Sequence, residues 1–228
     1  MRRPFDWERL GGAMGILFVV LLIASVFIMP FPPGEDEPTL KFLALYRDHR
    51  NAILVSAFIG TLATFPALWF MGSQRALLRR AEGGDGNLSL LAFGSAVAAS
   101  VAATVGPVMA AGAAYKVAAQ PDAGVVVQAI NDVAAVVTGT TPVFIAVWAA
   151  AATLIVAQTA VLPRWLAWLG AAVTVTGLLG ILSILNPRGG LFILGLINLA
   201  VFVIWVLAFS ITMIMRAGRS GQLPLARA

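Results

Sequence analysis

The sequence predicts an all-α, polytopic membrane protein: a six-transmembrane-helix bundle with short amphipathic helices on its outer face. Composition is the first reason. The 228 residues are 60% hydrophobic and 11% charged, whereas a soluble domain is nearer 45–50% apolar and about 25% charged. The mean hydropathy of +0.93 agrees. The second reason is segmentation. Six apolar runs reach the roughly 20 helical residues that cross a bilayer. The third is the absence of charge from their central turns, where one charged group costs about 2.5–3.5 kcal/mol on insertion scales.

The spans are predicted at 10–29, 52–72, 88–115, 141–162, 165–185 and 191–215, in one domain covering 1–215. Residues 216–228 read as a flexible cytoplasmic tail. The first run follows Met1-Arg2-Arg3 but is longer than the 7–15 apolar residues of a signal-peptide core, and no A-x-A site follows. It is taken as a retained span. Span 1 leaves through PFPP (30–33), and Glu37-Pro38 then marks a helix start. Leu40, Leu43 and Arg47 follow at helical spacing, so a short amphipathic helix is expected on the outer membrane surface. Pro66 and Pro107 should kink spans 2 and 3. The loop RRAEGGDGN (79–87) is a turn. Span 3 is rich in Ala, Ser and Gly, which lets backbones approach closely in lipid, and is expected to be a central helix. Gly11 and Gly15 in span 1, and Ala172, Thr176 and Gly180 in span 5, offer similar contact rows. Trp148 and Trp205 lie deep in their spans and read as packing residues.

Six spans put both termini on one side. That side would hold Arg2, Arg3, Arg9, Arg75, Arg79, Arg80, Arg164, Arg216, Arg219 and Arg227. The other side would hold Lys41, Arg47, Arg50, Lys116 and Arg188. The excess of basic residues places both termini in the cytoplasm. Glu35, Asp36, Glu37, Asp48, Asp122 and Asp132 fall on the outer side. Only two of the 15 basic residues are lysines, a bias of GC-rich bacterial coding sequence, so the expected location is the bacterial inner membrane. The basic residues are dispersed at span ends rather than clustered, so nucleic acid is not an expected partner. Membrane lipids, a second copy, or another membrane protein are.

Several chemistries lack their residues. There is no cysteine and one histidine, His49. Disulfides, thiolate metal sites and paired-histidine haem ligation are therefore excluded within one chain. No lysine lies mid-span to hold retinal. GGDG (83–86) follows no strand and is not expected to cradle phosphate. No catalytic residue, cofactor site or metal site is predicted.

One polar stretch interrupts the apolar pattern, QAINDVAAVVTGTTP (128–142). Gln128, Asn131 and Asp132 share one helical face, and valines and Ile130 cover most of the rest. Residues 124–138 should form an amphipathic helix before span 4. It could lie flat on the outer surface, dip in as a re-entrant half-helix, or continue span 4 through a kink. Its polar face would then either meet water and headgroups or line an outward-facing cavity, with Asp132 as a cation or proton site. Asn198 is the deepest strongly polar residue, suited to bonding a neighbouring helix or lining that cavity. Gln128, Asn131, Asp132 and Asn198 are the candidate cavity or ligand residues.

VLPRWLAWLGA (161–171) turns from span 4 into span 5 on the inner side. Arg164, Trp165 and Trp168 are the expected inner-interface anchors. With the six-span layout, this stretch resembles a family of uncharacterised bacterial integral membrane proteins, known as a domain of unknown function. Those proteins place a similar Leu-Pro-x-Trp-Leu-x-Trp-Leu-Gly turn between spans 4 and 5. The resemblance covers roughly 8–215, implies the same fold, and carries no reaction or catalytic residue onto this chain. The functions the sequence admits are a structural or regulatory role through protein or lipid partners, a small-molecule or ion transporter or channel, and a lipid-acting intramembrane enzyme.

Overall fold

The computed structural model describes residues 6–34, 37–187 and 189–220. Arg2, Arg3, Glu35, Asp36, Arg188, Arg227 and the tail beyond residue 220 lie outside the described residues, as does the side chain of Arg219.

Among the described residues all regular structure is helical. The elements are α1 (Trp7–Ile28), α2 (Thr39–Asp48), α3 (Arg50–Glu82), α4 (Asn87–Tyr115), α5 (Gly124–Gly139), α6 (Thr141–Thr159), α7 (Arg164–Gly180) and α8 (Phe192–Ser220). Short 3-10 turns follow α4 at Val117–Ala119 and α7 at Ile181–Leu185. Six helical stretches are long and apolar enough to cross a membrane; α5 and α6 together form one of them.

The helix ends are set by local chemistry. Asp6 caps α1 by accepting the Arg9 N–H at 3.1 Å, satisfying one of the free donors of a first turn. At the start of α4 the cap is borrowed from α3: Glu82 accepts the N–H groups of Leu88 at 2.8 Å and Ser89 at 2.9 Å. The turn between them needs glycine. Gly83, Gly84 and Gly86 have φ of 68°, 50° and 72°, a region that a Cβ disfavours. Pro163 precedes the first turn of α7, where a missing N–H costs nothing.

α3 runs past the predicted span end at 72 to Glu82. Ser73 and Gln74, just past that end, are buried in the bundle. At 33 residues, α3 is about 50 Å long at 1.5 Å per residue, well beyond a hydrocarbon core of about 30 Å. α8 likewise stays helical through the start of the predicted tail, to Ser220.

The long helices follow one another around a ring: α1 packs on α3, α3 on α4, α4 on α6, α6 on α7, α7 on α8, and α8 back on α1. α4, expected at the centre, is instead one member of the ring. Small residues bring the neighbours together. Gly12 lies against Ser210 and Ile214, and Gly15 against Ser210 and Phe70. On α7 the contact row is Gly170, Gly177 and Gly180 against Thr153, Ala146 and Pro142. The predicted Ala172 is exposed, because glycine on the adjacent face allows the closer approach.

Aromatic side chains fill the middle of the ring. Trp148 and Trp205, both 1% exposed, meet edge-to-face at 5.5 Å between ring centres. Phe202 packs on Trp148 at 5.4 Å and Phe70 on Phe209 at 6.1 Å. Such pairs contribute about 0.5–1.5 kcal/mol each beyond area burial. Trp148 also donates its indole N–H to Gln74 Oε1 at 2.7 Å.

A second apolar cluster lies at the end of the bundle that carries α2, called outer below. Phe42, Leu43 and Tyr46 of α2 are buried against Ile53, Ala110, Ala113 and Val127. α2 therefore docks on α5 and the end of α4 rather than lying alone on a surface. Arg47 fastens it further, donating to the carbonyls of Ala118 at 2.6 Å and Gln120 at 2.9 Å. At the opposite end, Glu8 of α1 pairs with Arg80 of α3 at 3.3 Å and Arg216 of α8 at 3.6 Å.

A Gly15→Val substitution tests the ring closure. Its Cβ would overlap Ser210 and lie 2.7 Å from Phe70, so overpacking should cost about 1–3 kcal/mol. The expected result is a lower unfolding temperature in detergent. Gly72→Val, where a Cβ meets nothing within 4 Å, should leave that temperature unchanged.

Candidate functional site

α5 and α6 form one helical path. Thr140 between them has φ −78° and ψ −19°, inside the helical region. Its N–H turns back to Val137 O at 3.1 Å and its hydroxyl to the same carbonyl at 2.7 Å. Pro142 has no N–H to continue the ladder, so the α-helical bonding breaks there, while one helical stretch runs from Gly124 to Thr159. Of the three courses open to residues 124–138, the described backbone follows the continuation of span 4. The stretch therefore begins at 124, not at the predicted 141.

The faces of α5 are the reverse of a helix lying on water. Val125, Val126, Val133 and Val136 are 72%, 50%, 50% and 41% exposed. Asn131 is buried, and Gln128 and Asp132 are half-buried. Thr39 Oγ1 donates to Gln128 Oε1 at 2.7 Å, and Tyr46 O–H donates to Asn131 Oδ1 at 3.1 Å. The polar residues thus face α2, inside the molecule. Burial, and then the nearby charge of Asp132, push the Tyr46 phenol up to about 12.

Beneath this network lies a cavity of about 400 Å³, within the size range of small-molecule sites. It is long and narrow. On the α5–α6 path its wall runs from Asn131 to Trp148, and on α3 from Ser56 to Met71. Seventeen helical steps from Asn131 to Trp148 make roughly 25 Å at 1.5 Å each. The floor is the aromatic cluster, through Trp148 and Phe202. α1 and α8 touch in their inner halves, at Gly11, Gly12 and Gly15. In their outer halves the cavity lies between them, lined by Leu22 and Val26 on one side and Leu196 and Leu199 on the other.

The four candidate residues divide. Asn131 and Asn198 line the cavity; Gln128 and Asp132 do not. Asn198 also ties α8 to α7, its amide nitrogen donating to Val173 O at 3.3 Å and Thr176 Oγ1 at 3.2 Å. The expected polar cavity is mostly apolar, walled by Ala, Gly, Leu and Phe, and none of its described lining residues is charged. Its hydroxyls are largely engaged within the protein. Ser25 and Ser56 each donate to the other's backbone carbonyl at 2.9 Å. Ser100 and Thr104 donate to carbonyls one turn back, at 3.1 Å and 2.7 Å. Two buried wall atoms have no hydrogen-bond partner, Asn131 Nδ2 and Thr141 Oγ1.

The anchor residues stand apart from the cavity. Arg164 is exposed, and Trp165 and Trp168 are 52% and 80% exposed on the first turns of α7. Sequence reasoning missed Gln74 and the Ser25–Ser56 pair. Ser25 and Ser56 carried the signal that marked Asn198, a lone polar residue inside an apolar run, whereas Gln74, between Ser73 and Arg75, carried none.

The Tyr46 environment sets an alkaline limit. Its folded value of about 12 lies above the ordinary 10.0. The neutral phenol is therefore favoured by the fold, and that contribution is complete below pH 10 and lost as pH rises to 12. The loss reaches roughly 3 kcal/mol at most. Thermal unfolding followed from pH 9 to 12 should fall more steeply for the unmodified protein than for Tyr46→Phe, which should also be less stable by about 1–2 kcal/mol at neutral pH.

The chain matches no protein-family model, no curated protein and no solved structure.

Proposed function

We propose that this protein is a multi-pass protein of the bacterial inner membrane that holds an apolar-chained molecule, a lipid, in its outer-half cavity. The observation that carries this is the shape and lining of the cavity. It is about as long as an extended acyl chain and walled by small apolar residues. It also lies between the outer halves of α1 and α8, where a chain could slip in sideways from the outer leaflet. A regulatory or structural role through lipid partners fits this site.

The transporter reading has less support, because the cavity ends on Trp148 and Phe202. A floor of interlocked rings favours holding over conduction. The lipid-enzyme reading lacks reacting groups at the cavity.

Both termini are assigned to the cytoplasm. Arg9, Arg75, Arg79, Arg80, Arg164 and Arg216 gather at one end of the bundle, against Lys41, Arg47, Arg50 and Lys116 at the other. The Leu162–Gly170 turn, with its two exposed tryptophans, supports kinship with the six-span bacterial family.

The holding function is tested by filling the cavity. A side chain at Gly195 meets only Ser183, at 3.7 Å, and Gly195 lines the cavity. Native mass spectrometry of purified protein should show a retained lipid, lost in Gly195→Phe and kept in Ala172→Phe on the exposed face of α7. Retention by all three proteins would sink the assignment. Orientation is tested by thiol labelling, which the absence of cysteine makes clean. Asp85→Cys should label only in permeabilised cells, and Gln120→Cys in intact ones.

A further inference from the structure

We infer that the cavity selects an amphiphile with an uncharged, acceptor-bearing head, such as a carbonyl ester, seated at Asn131 with its chain directed down to Trp148. This rests on the lipid-holding function proposed above and names the ligand class.

Three observations lead to it. First, Asn131 is 8% exposed and lines the outer end of the cavity, yet its Nδ2 has no hydrogen-bond partner. A buried N–H without an acceptor costs about 1–3 kcal/mol, and native proteins rarely leave one so. Tyr46 O–H donates to Oδ1 at 3.1 Å, which leaves the amide nitrogen on the side away from the phenol. The side chain thus lines the cavity with its donor unspent. An acceptor arriving with the ligand would satisfy it.

Second, charge argues against an ionised head. The described lining residues include no cation to pair an anion, and an unpaired charge is strongly disfavoured in an apolar wall. Asp132 follows Asn131 in sequence and its charge reaches Tyr46, so an anion at Asn131 would also meet repulsion. A quaternary ammonium head has no lone pair for the amide. An ester or ketone oxygen supplies the acceptor without the charge.

Third, the distances suit one molecule. Below Asn131 the wall is Ala134, Ala135, Thr138, Pro142 and Ile145 before Trp148. This stripe offers a chain contact along its length. Thr104 and Ser100 opposite have already donated to their own helix. Lower on the same wall stand Thr138 and then Thr141, whose buried hydroxyl also lacks a partner.

The test compares head groups on one chain. Purified protein in phosphatidylcholine nanodiscs is titrated at pH 8 with four probes sharing a dibrominated C18 chain: the glycerol monoester, the free fatty acid, the trimethylammonium salt, and the bare alkane. Bromine near the cavity floor quenches Trp148, and binding is read as the saturable loss of tryptophan emission. The monoester should bind about tenfold more tightly than each of the others, 1.4 kcal/mol at 25 °C. Asn131→Leu should abolish that margin while leaving alkane binding within about twofold. The head-group comparison in the unmodified protein stands whether or not the variant folds. Equal quenching by all four probes, or tightest binding by the fatty acid or the ammonium salt, would overturn the head-group inference and leave lipid holding intact. Quenching by none would overturn both.

Discussion

The indole N–H of Trp148 reaches across the bundle to Gln74 Oε1 at 2.7 Å, and much of the arrangement depends on that bond. Trp148 sits on α6 and Gln74 on α3, helices that are not neighbours in the ring. With both groups buried, each would be costly to leave unbonded. The bond therefore fixes how far α3 and α6 can separate. It also fixes the indole plane onto which Phe70, Phe202 and Trp205 pack. Between helices in lipid there is little hydrophobic drive, and packing and hydrogen bonds decide association. One hydrogen bond and a group of interlocked rings thus hold the inner half shut. Glu8, shared between Arg80 and Arg216 at its rim, adds an exposed clasp of small value.

The inner half is shut, and the cavity lies in the outer half. Glycines at 11, 12 and 15 let α1 meet α8 closely. Further out, α1 carries Leu22 and Val26, and α8 carries Leu196 and Leu199. These side chains separate the backbones, and α1 is drawn instead to α3 by the reciprocal Ser25–Ser56 bonds. The cavity is the space left when α1 follows α3 rather than α8. It needs no special residue to create it, only the change from glycine to larger side chains along each helix.

Composition and segmentation sufficed for the all-helical fold and its six long apolar stretches. Trp148 and Trp205 were recognisable as interior residues from their depth, and Asn198 as a residue needing a partner. The limits have physical causes. The span in α3 was ended too early, at 72, and polarity in a sequence does not say whether Ser73 and Gln74 meet water or another helix. The direction of α5 was illegible for a related reason. An amphipathic pattern shows that two faces differ, but not which one turns inward. In water the valine face would be buried. Here valines 125, 126, 133 and 136 are exposed and Asn131 is buried, the sign expected of a helix surrounded by lipid. The cavity itself draws on α1, α3, α4, the α5–α6 path and α8. No single segment carries its signal.

The reversed faces of α5 also explain why two adjacent polar residues belong to different parts of the molecule. Along a helix, successive side chains are about 100° apart, from 3.6 residues per turn. If Asn131 faces the cavity wall, Asp132 must turn toward the side, and Gln128 falls between them. Gln128 meets Thr39 at 2.7 Å, and the charge of Asp132 reaches Tyr46. Both therefore address α2, while Asn131 gives its oxygen to Tyr46 of α2 and lines the cavity. One amide joins the outer cluster to the cavity below. Tyr46 keeps its proton up to about pH 12, so across the physiological range it acts as a donor to Asn131. With that donation going to Oδ1, the amide nitrogen has no partner within the protein.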